Sequence, residues 1–303
     1  MPSSVSFSTP PASEPGPLLD RALRAALVGL GLPLHRVRGV LPGTHPGSGP
    51  GPGEDFFQHR QYAPGEDVRA VDWRASARLG HLLVKERHRP LRQPLVLLLD
   101  ASASMEFPGG GPTKARCARQ LAAALALLAL RRRDPVSLQL LGPRGFTPAG
   151  RILPGTGAAP AAEALLSRAR GGGRADVGQA LASLLPERFT AQHLVLLSDL
   201  YGDTALLLRA LERLVRAGAA FSVLHVLSEA DRSVPGGAGA VRDVETGEAR
   251  SIPAHERGAF SARVEAWAAA LERDATGAGA EWLSVDAARP PGATLREWLG
   301  GRE

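Results

Sequence analysis

Cysteine is almost missing from this sequence. One residue, Cys117, stands among 303, so no internal disulfide can staple the chain. It lies among alanines and leucines, which predicts a buried thiol acting as a small hydrophobe. Nothing beside it marks it as an activated nucleophile. Lysine is nearly as scarce: Lys85 and Lys114 are the only two, so the basic side is almost all arginine. Aromatic residues make up 5%, and Leu, Ala and Val must therefore fill the core. Long apolar runs are lacking too. The longest, residues 121–130, is too short for a bilayer, which needs about 20 residues. Residues 1–17 are rich in Ser and Pro without an apolar centre. They read as a disordered tail rather than a signal peptide or anchor. These absences predict a cytoplasmic protein with no membrane insertion.

What is present bounds the chain further. Hydrophobic content of 44% supplies a sizeable core, and the length permits one large domain or two smaller ones. The net charge of +6 suits an acidic partner. Its 36 basic and 30 acidic residues are interspersed, and no basic block is flanked by aromatics. Nucleic acid is therefore not an expected partner.

Apolar runs at 94–100, 136–141, 193–199, 220–227 and 281–285 predict strands. Helical spacing covers 113–132, 158–169, 176–186, 203–217, 255–274 and 292–299, with an earlier helix over 18–31. Such alternation predicts an α/β fold with a doubly wound, mostly parallel sheet. The Gly/Pro-rich stretch 42–53 reads as a surface loop or linker. Residues 242–252, with Thr246-Gly247 inside, read as a small hairpin. The glycines at 109–111 precede Pro112-Thr113-Lys114 in the wrong order for a phosphate loop, and read as a turn before a helix.

The most informative stretch is Leu99-Asp100-Ala101-Ser102-Ala103-Ser104-Met105. It follows a continuous apolar run, so a carboxylate and two hydroxyls stand past the carboxyl end of a central strand. Ligands bind there in open α/β sheets. All three side chains offer oxygen, which suits a hard cation such as Mg²⁺. Helix-capping serines after a strand-end Asp would leave the same trace. A second apolar run ends in Ser198-Asp199. With the two strands adjacent, Asp100 and Asp199 face one crevice, and their repulsion calls for a cation or a proton.

Together these residues resemble the metal-ion-dependent adhesion site of a von Willebrand factor A domain. Asp100, Ser102 and Ser104 match its Asp-x-Ser-x-Ser motif, and Asp199 matches its later Asp. The resemblance implies a Thr before the helix at Val177, but that position holds Ala175, which has no oxygen to offer. Arg174 beside it would either pair inward with an aspartate in place of a cation or stand in solvent.

A longer pattern lies upstream. Phe56, Arg60, Tyr62, Gly65, Asp67, Arg69, Asp72, Trp73, Ser76, Ala77, Arg78, Leu82, Val84 and Lys85 resemble the signature of the DUF58 family. That family also carries a von Willebrand A fold downstream, and residues 241–248 resemble it as well. Read physically, Arg60, Arg69, Arg74 and Arg78 interleaved with Glu66, Asp67 and Asp72 predict an ion-pair network holding an irregular segment against the main domain. Tyr62 and Trp73 are expected to bury their rings. An acid/base group of His59, Asp67 and Asp72 is the alternative. The division that follows is a tail at 1–17, a helix and signature segment at 18–93, and a von Willebrand A-like domain at 94–303.

The resemblance implies a function in binding rather than catalysis: an adaptor or co-chaperone working with a MoxR-type AAA+ ATPase and a client protein. A Mg²⁺ held by Asp100, Ser102, Ser104 and Asp199 would capture a partner carboxylate. The chain has no nucleotide site of its own. A metal-free scaffold with a decayed site, or a metal-dependent hydrolase using Asp100 and Asp199, are the alternatives.

Overall fold

A computed structural model describes residues 16–32, 41–45, 50–64, 66–88, 91–107, 111–233, 240–242, 244–245, 247–251 and 254–300. Most of the tail read at 1–17 lies outside these. The first part of the chain holds α1 (Arg21–Ala26), β1 (Leu41–His45), β2 (Pro50–Gln61), α2 (Trp73–Leu79), β3 (Leu83–His88) and β4 (Leu91–Arg92). Next come β5 (Leu95–Asp100), α3 (Lys114–Arg131), β6 (Val136–Gly142), β7 (Gly145–Ile152), α4 (Ala158–Ser167) and α5 (Val177–Ala182). Then follow β8 (His193–Ser198), α6 (Thr204–Arg216), β9 (Ala220–Leu227), α7 (Glu229–Arg232), β10 (Ala240–Arg242) and β11 (Ala249–Ser251). The last elements are α8 (Ala254–Gly277), β12 (Glu281–Asp286) and α9 (Pro291–Gly300).

Six strands form the central sheet in the order β12-β9-β8-β5-β6-β7. All neighbours pair in parallel except β6 and β7. The fold is therefore the expected α/β class with a mostly parallel sheet. Strand β5 shows why its sequence is continuously apolar: all six residues are buried. Leu95, Leu97 and Leu99 enter the core on one face, Val96 and Leu98 the core on the other. A strand covered on both faces needs no polar alternation. The edge strand β7 was not anticipated. Its sequence Gly-Phe-Thr-Pro-Ala-Gly-Arg-Ile carries a Pro and two glycines, which disguise a strand but are tolerated at a sheet edge.

The helices split between the faces. On one, α3 is capped by Thr113, whose side chain accepts from Arg116 N, and it is buried almost all round between the sheet and its neighbours. Cys117 lies there, fully buried as expected, and burial pushes its thiol up to about 12. Leu23 and Leu27 share this core with Leu295 and Trp298. Helix α1, shorter than the 18–31 expected, thus packs into the main body. On the opposite face, α6 buries Leu207, Ala210, Leu211 and Leu214 at helical spacing.

The signature segment departs from its reading in several ways. Strands β2 and β3 pair antiparallel, and Val71 bridges to Val84. The stretch 42–53, expected as a loop or linker, contributes to β1 and the start of β2. Trp73 does not bury its ring. It opens α2 and is 63% exposed, and Leu82 is 44% exposed. The segment buries Val71, Ser76, Leu83 and Val84 instead. Tyr62 is half-buried, with its hydroxyl donating to the Glu66 carbonyl at 3.2 Å. Of the expected ion-pair network, Arg60–Glu66 at 2.6 Å is present. Asp67 and Asp72 do other work: each caps a helical turn, accepting from Arg69 N and Ala75 N. His59 also approaches Asp72 at 3.0 Å. Arg69 and Arg78 are exposed and make no ion pair among the described residues. Short carboxylates one or two residues before a helical turn find free N–H groups closer at hand than any guanidinium. The hairpin read at 242–252 is present, as β10 paired antiparallel with β11.

Candidate functional site

Parallel strands deliver the site. β5, β8 and β9 are neighbours running in one direction, so the segments after them emerge at one edge of the sheet. Asp100 ends β5 and Asp199 follows β8, which places them together as the two apolar runs predicted.

A third segment, residues 171–176, closes on the first. A Cβ at Gly171 would lie 2.3 Å from the Ala101 carbonyl oxygen, so only glycine permits this approach. The Ala103 N–H donates to the Gly173 carbonyl at 3.1 Å. Helix α5, which follows this segment, meets the residues after β8: a Cβ at Gly178 would lie 2.7 Å from the Asp203 carbonyl oxygen. Asp176 and Asp203 cap α5 and α6 at this junction.

Asp100 is buried and fully engaged. One carboxylate oxygen accepts from Ser102 N at 2.9 Å, the other from Ser198 Oγ at 2.6 Å. Burial and the nearby charge of Asp199 raise its affinity for a proton, and the hydrogen bonds oppose that rise. The Ser102 and Ser104 hydroxyls lie 3.1 Å apart. Ser198 Oγ also accepts from Leu200 N at 2.9 Å. This turn holds Leu200 at φ 59, a left-handed conformation that few non-glycine residues adopt.

Asp199 has a partner the sequence reading did not foresee. Lys114 Nζ donates to its Oδ2 at 2.8 Å and to Asp231 Oδ1 at 2.7 Å. The lysine side chain is 2% exposed. Asp231 is fixed from behind, its Oδ2 accepting from Ser228 N at 2.7 Å and Ser228 Oγ at 2.6 Å. Burial works against the charge of both Lys114 and Asp231. The charges of Asp199 and then Asp231 outweigh it for the lysine, whose pKa is raised. The Lys114 charge, with the Lys114 and Ser228 hydrogen bonds, outweighs it for Asp231, whose pKa is lowered.

Aromatic rings wall this cluster. The Tyr201 hydroxyl donates to Asp231 at 3.3 Å, and Lys114 Nζ lies 5.4 Å from the ring centroid. Tyr201 stacks on Trp267 at 5.4 Å. His225 stands edge-on to Trp267 and Trp282 and donates through Nε2 to the Asp199 carbonyl at 3.1 Å. Its buried Nδ1 has no hydrogen-bond partner among the described residues. Burial drives this histidine down to about 4, so it is neutral. Beyond it, Tyr201, Phe260, Arg263, Val264 and Trp267 line an open pocket of about 280 Å³.

The metal set implied by the family resemblance fits these residues poorly. Ala175 gives no oxygen and packs with the apolar core. Asp199 is committed to an ammonium. Both oxygens of Asp100 already accept from protein donors. Mg²⁺ demands near-octahedral oxygen ligation at about 2.0–2.1 Å, and a second cation beside Lys114 would be repelled. Arg174 stands exposed, so it does not replace the ion.

Sequence reasoning named Asp100, Ser102, Ser104 and Asp199 as metal ligands. It assigned no role at the site to Lys114, Asp231, Ser198, Tyr201 or His225, which the structure brings beside them. A signal existed for two of them. One of only two lysines opens an Ala/Leu helix, and Ser228-Glu229-Ala230-Asp231 spells a capping box directly after a buried strand.

Comparisons with known proteins place the chain. An uncharacterized protein of Mycobacterium tuberculosis is 31% identical over 300 residues, covering 96% of this chain and 90% of its own. Among solved structures, an aerotolerance-related membrane protein from Bacteroides fragilis is similar at 16% identity and a TM-score of 0.45, covering 69% of this chain and 97% of that one. A von Willebrand factor type A protein from Catenulispora acidiphila is similar at 13% identity and a TM-score of 0.41, covering 70% and 42%. The family model described as "Protein of unknown function DUF58" matches residues 58–273, the greater part of the sequence. The chain belongs to the DUF58 family.

Proposed function

We propose that this chain is a non-enzymatic adaptor that presents a client protein to a MoxR-type AAA+ ATPase, docking an acidic partner segment on the loop edge of its sheet. One observation carries the reading. The carboxylates at that edge are engaged internally, while residues 168–174, which run up to Ala101, expose Arg168, Arg170 and Arg174, with Arg170 4.0 Å from Glu106. A hydrolase needs a group free to attack or to take a proton. Here Asp100, Asp199 and Asp231 are held by serine and lysine donors. The arginines offer what a partner carboxylate seeks, a charged and bidentate donor, and the chain's net charge of +6 has the right sign. The resemblance gave that capture to a metal ion; the arginine rim supports it without one. ATP hydrolysis belongs to the partner.

A pull-down with the tagged full chain from its native host, with and without chelator, tests this. The ATPase is expected in both eluates. Its absence from both would overturn the reading, as would substrate turnover by the purified chain in a hydrolase screen.

A further inference from the structure

We infer that Lys114 is an internal cation that does the work of a divalent ion at this sheet edge, so that the junction of the loops is metal-independent.

Lys114 is placed against two ordinary preferences. It is the first residue of α3, where the helix macrodipole disfavours positive charge. It is also almost completely buried, which an ammonium tolerates only when paired. Two carboxylates offset both costs, at 2.8 and 2.7 Å.

Those carboxylates come from different strands. Asp199 follows β8 and Asp231 follows β9, while Lys114 arrives on the helix after β5. One ammonium thus ties together the segments following three adjacent parallel strands. A coordinated ion would serve the same end, neutralising carboxylates that strand geometry forces together. The lysine does so from within the chain and cannot be removed by a chelator. Its Nζ directs two of its three donors to these oxygens, and the Tyr201 ring lies 5.4 Å away.

The test uses the full chain and Mg²⁺ or Mn²⁺ as probes. Wild type is expected to melt at the same temperature with Mg²⁺ and with EDTA, and to leave the electron paramagnetic resonance signal of Mn²⁺ unchanged at one equivalent. Lys114→Ala removes the cation and leaves room. It is expected to lower the melting temperature by about 10 °C in EDTA, to recover part of that loss with Mg²⁺, and to bind Mn²⁺. Lys114→Met removes the charge but fills the space, so it is expected to lose stability without metal rescue. If neither variant folds, the wild-type titration decides. One Mn²⁺ bound by wild type and lost in Asp100→Ala would overturn the inference, as would a Lys114→Ala protein as stable as wild type in EDTA. Either result would leave the adaptor reading standing, because the pull-down does not depend on what neutralises Asp199.

Discussion

Gly171 and His225 show how much of the site rests on single residues. A methyl at Gly171 would press into the Ala101 carbonyl, so Gly171→Ala should cost about 1–3 kcal/mol, read as a lower urea midpoint at unchanged slope. His225 sets a pH dependence. Its pKa falls from 6.5 to about 4 on folding, so the unfolded chain binds the proton first as pH drops. Its contribution is intact above pH 6.5 and is lost as pH falls through about 4. The full loss is about 3 kcal/mol. Asp100, shifted upward, works in the opposite sense, gaining stability as it takes a proton. Wild type against His225→Gln isolates the histidine: the variant should lose less stability between pH 7 and pH 4. At this scale the sequence was half legible. Asp100, Ser102, Ser104 and Asp199 announced themselves by following apolar strand runs. Lys114 did not, because nothing local says which carboxylate a long side chain will reach across 85 residues.

At the scale of elements, the buried strands were the most legible, since two-sided burial leaves a continuous apolar run. The least legible part was the signature segment. Its Trp73 was expected inside because its ring is large and apolar, yet a short helix and a two-stranded hairpin offer little interior to enter. Trp73→Ala should therefore change stability by no more than about 0.5 kcal/mol. Leu27→Ala should cost about 2–5 kcal/mol, because Leu27 is fully buried against the main core. Chemical denaturation of the two variants makes the contrast. The same reasoning predicts that residues 36–92 expressed alone show no cooperative unfolding.

At the scale of the whole molecule, a cluster of internally paired carboxylates sits past the central strands, with exposed Arg168, Arg170 and Arg174 nearby. Among the described residues no helix is long and apolar enough to cross a membrane. The α/β class could be read from alternating strands and helices, and family membership from one extended motif. The internal neutralisation of the site could not, because it joins segments after three different strands. The adaptor reading rests on the arginine edge, and the binding of a purified MoxR-type ATPase, with its client, to the immobilised chain tests it most directly. We expect affinity that is unchanged by EDTA, falls as salt rises, and drops about tenfold or more when Arg168, Arg170 and Arg174 are all changed to Glu. Equal affinity for wild type and that variant, or binding that requires added Mg²⁺, would contradict the account.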